Sequence, residues 1–194
     1  MMNIVERAKN LILQPRREWP VIAGESHTVQ GLYTQYVMIL AAIAPVASFI
    51  GYSLVGFGGF GTTVRIPIGA GIAYMVVSYL FSLGSVYVLA LIIEALAPTF
   101  GGEKDFMQAF KVAAFAPTAS WLAGIFSIVP ALAILGLLGL WSLYLLFIGL
   151  PLLMKTPSEK AVPYTVVVII VAIVIGVLVA TLSALVIPAP ARGF

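Results

Sequence analysis

From Val112 to Met154 the chain runs 43 residues without a charged side chain, and nothing else in the sequence restricts its fold as much. At about 1.5 Å rise per residue one helix crosses a bilayer core in about 20 residues, so this run holds two crossings and a tight apolar turn between them. Pro130 breaks helix geometry and places that turn at Val129 to Ala131, with Gly136 to Gly139 as the alternative. Leu32 to Leu54 is a further uncharged run, Ile66 to Ala97 carries a single charge at Glu94, and Tyr164 to Ile187 is rich in Val and Ile. The expected fold is therefore all-α: a polytopic membrane protein with five transmembrane helices at about 32–54, 68–97, 106–129, 132–154 and 164–187.

Composition agrees with lipid as the solvent. The chain is 62% hydrophobic and 9% charged, with a mean hydropathy of +1.13, whereas a soluble domain carries roughly a quarter charged residues. The spans use up most of the 194 residues. Two units are expected: an N-terminal segment, 1–30, and a membrane domain, 31–194.

The basic residues orient this domain. With the N-terminus in the cytoplasm, Arg7, Lys9, Arg16, Arg17, Lys104, Lys111, Lys155 and Lys160 lie inside, and only Arg65 and Arg192 lie outside. That asymmetry follows the positive-inside rule and puts the C-terminus outside. The net charge of +3 is spread over several connections, which fits anionic headgroups at the cytoplasmic face and gives no nucleic-acid surface. The charged N-terminus shows no secretory signal pattern.

Residues Asn3 to Leu13 set Ile4, Val5, Ala8, Leu11 and Ile12 on one helical face and Glu6, Arg7, Lys9 and Asn10 on the other. Such a helix lies in the cytoplasmic interface or packs beneath the bundle, and interfacial placement is the working expectation. Arg16, Arg17 and Trp19, just after Pro15, are residue types that anchor at headgroups.

Catalytic patterns are missing. There is no cysteine and one histidine, His27, so thiolate chemistry and multi-histidine metal sites are excluded. His27 reads as an interfacial, solvated side chain. Gly56 to Gly61, GFGGFG, formally matches a dinucleotide fingerprint, but it follows a membrane span instead of a strand and reads as an external turn. The expectation is a protein without enzymatic activity, cofactor or metal.

Two features remain. Glu94 is a carboxylate inside a span, where such groups pair, protonate or line a polar cavity, and Lys111 at similar depth is its expected partner. Ala172, Gly176, Ala180 and Ala184 recur every fourth residue, a small-residue stripe that lets helices approach closely, within the bundle or between copies.

The string Pro15-Arg16-Arg17-Glu18-Trp19-x-x-Ile22-x-x-Glu25, with Tyr33-Thr34, Ala41-Ala42-Ile43 and Phe49-Ile50-Gly51, resembles the small bacterial inner-membrane, YohC-like branch of the Yip family. Phe106-x-x-Ala109-Phe110-Lys111-Val112-x-x-Phe115-Ala116-Pro117, then Ile128-Val129-Pro130 and Gly149-Leu150-Pro151, is similar to the core of that domain. The resemblance implies five spans, a cytosolic N-terminus and an inner-membrane location. Eukaryotic Yip relatives bind prenylated Rab-type GTPases; this sequence lacks their long cytosolic region and its D-L-Y-G-P motif, so that partner is not carried over. The functional expectation is a protein that organises membrane lipid or partner proteins. The alternative is a small oligomeric transporter or channel with a path near Glu94.

Overall fold

In a computed structural model, which describes residues 3–58 and 63–185, those residues are mostly helical and form no strand beyond a single bridge between Phe57 and Val64. Gly59 to Gly61 of the glycine-rich turn, Arg192 and the end of the fifth expected span at Ile187 lie outside the described residues. Two short helices come first, α1 (Ile4–Leu13) and α2 (Pro15–Gly24). Five helical segments long and apolar enough to cross a membrane follow: α3 (Val29–Val55), α4 (Ile68–Phe100), α5 (Phe106–Ile128), α6 (Pro130–Leu153) and α7 (Ser158–Ala184).

Local chemistry sets the breaks. The Asn3 side chain accepts from the Glu6 amide to start α1, and Pro15, which has no amide hydrogen to lose, opens α2. Thr28 caps α3 and Asp105 caps α5 in the same way. Gly101, at φ 72°, closes α4 in a left-handed turn that a side chain would strain. The reversal between α5 and α6 falls at Val129, which is extended and followed by Pro130. Both sides of that reversal are wound as 3-10 helix, Gly124–Ile128 and then Pro130–Leu140, before α6 relaxes to α-helix at Trp141.

Helix α5 is the centre. Ala109 to Phe115 are all buried, including Lys111. Close approach is built in at Gly124, where an added Cβ would collide with Ala44 of α3, so the two backbones nearly touch. α7 is held most firmly at its proximal end: Tyr164 donates to the Ile93 carbonyl of α4 at 2.5 Å and stacks on Phe100, with ring centroids 5.0 Å apart. Beyond Val168 only one side touches the bundle, through Ile169, Ala172 and Ile175 and again at the buried Ser183, while Ile170, Val174 and Val177 are exposed. An exterior this apolar is matched by hydrocarbon, not water.

The N-terminal pair packs against the bundle. Arg7, Ala8 and Leu11 of α1 and Pro15, Glu18, Trp19 and Ile22 of α2 are buried, while Val5 and Leu13 keep α1 apolar on its outer side. The amphipathic pattern put Arg7 on the polar face, and the structure corrects this: Arg7 turns inward because two carboxylates wait there.

Candidate functional site

The end of the bundle that carries α1 and α2, the proximal end, holds a cluster of buried charge. Arg7 donates through one guanidinium nitrogen to Glu18 Oε1 at 2.5 Å and through the other to Glu25 Oε1. Its guanidinium also lies over the Phe115 ring, 5.9 Å from the centroid. The second Glu25 oxygen meets His27 Nε2 at 2.8 Å. A bidentate cation between two carboxylates satisfies all three charges where water is scarce.

Lys111 locks this assembly to the central span. Its ammonium donates to the Ala23 carbonyl at 3.2 Å and to the Glu25 carbonyl at 2.6 Å, and Gln108 Nε2 donates to Ala23 as well, at 3.2 Å. These carbonyls sit at the C-terminal end of α2, where a helix runs out of its own amide donors and carries partial negative charge. One helix thus supplies the C-cap of another. Two cations, Arg7 and Lys111, face two carboxylates, Glu18 and Glu25, so the cluster is neutral when His27 is.

Burial alone would raise the Glu25 carboxyl, but hydrogen bonds and charge from Arg7 and His27 outweigh it and hold the group below the ordinary value. Deeper in, Thr118 donates to the Phe115 carbonyl at 2.6 Å, so its oxygen must accept the Tyr36 hydroxyl at 2.7 Å. Further along α5, Ser120 donates to the Gly139 carbonyl at 2.9 Å and its amide donates to Ser142 at 2.9 Å. These hydroxyls are all paired locally, whereas Gln108 Oε1 and Trp19 Nε1 are buried without a hydrogen-bond partner among the described residues.

Several expectations change here. Glu94 and Lys111 do not pair: Lys111 has turned to the carbonyls of Ala23 and Glu25, and Glu94, half-buried on α4, has no hydrogen bond or ion pair among the described residues. Backbone acceptors at a helix end outcompete a carboxylate that can reach outward. Trp19 is not a lipid anchor. It is fully buried, and its indole lies so close to Gly149 that any Cβ there would collide with it. Arg16 and Arg17 remain exposed. His27 is part of the buried cluster instead of a solvated residue.

The stripe on α7 touches the bundle only near its ends, at Ala172 on the core and at Ala184 beside α3, and makes no close helix approach between them. Ala172 is half-buried, Gly176, Ala180 and Ala184 are exposed, and a Cβ on Gly176 would meet nothing within 4 Å. The buried positions Tyr164, Thr165 and Val168 hold α7 at its proximal third and Ser183 is buried near its far end; between them a cleft of ≈ 310 Å³ separates it from Ser82, Ser85, Ser120 and Ser142.

Arg7, Glu18 and Glu25 were missed as a site, although one signal was present. Pro15, Glu18, Ile22 and Glu25 recur at helical spacing beside Trp19, so the carboxylates share a face with the apolar residues. Carboxylates on an apolar face predict buried cations.

The profile described as the Yip1 domain matches residues 9–180, beginning inside α1 and running through nearly all of α7. Inner membrane protein YohC of Escherichia coli strain K12 is 28% identical over 160 residues, covering 80% of this chain and 82% of the relative. The protein of the same name from Escherichia coli O6:H1 strain CFT073 matches with the same identity and coverage. No solved structure matches.

Proposed function

The chain belongs to the Yip1 domain family and is an integral membrane protein, and from that premise we propose that it is a non-enzymatic bacterial inner-membrane protein that organises lipid or partner proteins at the cytoplasmic face through its charge-anchored N-terminal pair. The proximal end is the cytoplasmic one in this reading. It gathers Arg7, Lys9, Arg16 and Arg17 with the basic connections around Lys104, Lys155 and Lys160, and the related proteins are named inner membrane proteins.

The observation that carries the reading is the sealed centre. Around α5 the residues Ala109, Phe110 and Val112 to Phe115 are fully buried, and Tyr36, Thr118, Ser120 and Ser142 make hydrogen bonds with one another or with backbone groups, so the polar surface beside α5 is confined to the serine-lined cleft under α7. Ala131 to Leu138, the distal half of α6, carries no polar side chain at all. Transport past Glu94 has less support, because the cation expected beside it is engaged elsewhere. What the chain offers is a rigid proximal platform on an apolar bundle.

Proteoliposomes loaded with proton- and potassium-sensitive dyes test this. The expected result is flux equal to protein-free vesicles, together with a shift in a polarity-sensitive lipid probe near the protein. Flux that disappears in Glu94→Gln would replace the organising role with transport.

A further inference from the structure

Two concavities of the surface meet at two aromatic rings. The first is an open apolar trough of ≈ 770 Å³, walled by Ala119, Ala123 and Phe126 of α5 and by Leu137, Leu138 and Leu140 of α6. It ends at Trp141 and Tyr144, whose ring centroids are 4.6 Å apart. The same two rings wall a second concavity of ≈ 540 Å³, whose opposite side is Leu13 to Arg17. Along one line of the surface the chain therefore presents two guanidiniums, an aromatic pair and a hydrocarbon channel.

The trough has a local cause. From Pro130 to Leu140 the wall is 3-10 helix, a narrower rod than an α-helix, in which residues three apart eclipse, so Leu137 and Leu140 stack in one row. The facing residues of α5 include the small side chains Ala119 and Ala123. A thin rod opposite alanines leaves a channel.

We propose that this composite groove seats one glycerophospholipid with an anionic headgroup. Its phosphate lies at Arg16 and Arg17, its ester region beside Trp141 and Tyr144, and one acyl chain along the trough. The seat rests on the lipid-organising reading above and names the lipid. Neither arginine has a carboxylate partner among the described residues; Arg17 makes only a 3.4 Å contact with the Gln14 side chain. An arginine facing the headgroup layer without a partner binds phosphate oxygens in a fork, which a neutral lipid surface rewards less than an anionic one. Trp141 and Tyr144 stand between the guanidiniums and the trough, where an indole N–H and a phenol can meet the ester oxygens of a lipid seated across both concavities. The trough volume is in the range of a single-ligand site, about 300–1,000 Å³. A protein segment lying in the trough would displace lipid tails as apolar as itself, with no hydrophobic gain.

Tryptophan emission reads the seat directly, because Trp19 and Trp121 are buried and Trp141 is 43% exposed. The full chain is reconstituted in phosphatidylcholine vesicles containing increasing fractions of chain-brominated phosphatidylglycerol or chain-brominated phosphatidylcholine. The brominated anionic lipid is expected to quench at about tenfold lower mole fraction, a preference the two arginines together can supply. Arg16→Gln with Arg17→Gln should erase that preference, while Lys155→Gln with Lys160→Gln, the same charge removed from other exposed positions, should keep it. Equal quenching by the two lipids in the native chain overturns the seat. So does loss of preference in both double variants, which would make it general surface charge. Dye flux measured in the same vesicles judges the organising role separately: flux with preference retained removes that role and leaves the seat, and no flux with preference absent does the reverse.

Discussion

Helices α5 and α7 are both long enough to cross a bilayer, and they treat burial in opposite ways. α5 is the least apolar of the five spans, with a mean hydropathy of 1.3, yet 67% of its apolar stretch is buried; α7 is the most apolar, at 3.2, and only 11% is buried. In water the order would be reversed. In lipid the hydrocarbon already solvates Val and Ile, so α7 gains little by going inside, while Gln108, Lys111, Thr118 and Ser120 of α5 must find partners within protein. The buried helix is the one that cannot be left out.

That contrast is open to direct attack, most strongly through the charges α5 helps to hold. Arg7→Ala leaves the buried Glu18 without its cation and the half-buried Glu25 with His27 alone, and should lower stability by about 3 kcal/mol, the low end for a broken buried pair. Thermal unfolding in detergent or nanodiscs measures it, and an unchanged midpoint would mean the cluster is solvated. Gly149→Val comes next. The new side chain meets the Trp19 indole, and overpacking of this kind costs about 1–3 kcal/mol. Displacement of α2 should expose Trp19 and shift its emission to the red; Trp19→Ala in the same chain should recover part of the loss, as contacting residues couple.

A smaller effect follows from pH. The folded state holds the Glu25 carboxyl below the unfolded value of 4.5, so the unfolded chain takes up the proton first as pH falls. The stability from Glu25 is therefore complete above that value and is lost as pH falls through the lowered folded value. Unfolding midpoints measured from pH 6 downward should drop, and Glu25→Gln should flatten that part of the slope. A native slope identical to that of Glu25→Gln would remove the carboxylate from the account.

Gly176→Leu should do least, within about 0.5 kcal/mol, because a Cβ there meets nothing within 4 Å and the cleft it borders has room for the rest of the side chain. The same change tested for oligomeric state by native mass spectrometry sharpens the comparison. If it splits an assembly, the exposed stripe of α7 faces another copy and not lipid.

The fold was legible because a bilayer imposes a length and forbids charge, and uncharged runs such as Val112 to Met154 report both. The cluster was less legible, for a physical reason. Polarity assigns Arg7 and Lys111 to water or to an acidic partner, but Lys111 is satisfied by the carbonyls of Ala23 and Glu25, and no residue type marks a backbone acceptor. Trp19 was misplaced by a similar gap. Its residue type suits an interface, and only the absence of a side chain at Gly149, 130 positions later in the chain, makes room for it inside. The stripe of α7 records that close approach is sterically allowed and says nothing of where a neighbour stands.

The 3-10 winding of Pro130–Leu140 also sets how tall the protein is. Eleven residues at about 2.0 Å each rise about 22 Å, where α-helix would rise about 16 Å. Rewinding that segment would shorten the crossing by about 6 Å, which is the order of the thickness difference between one biological membrane and another. The reversal at Val129 joins this segment to the 3-10 end of α5, so both crossings hold spare length at the same end. The distal half of the bundle therefore reaches further across the membrane than the same residues would as α-helix, above a proximal end tied by ion pairs.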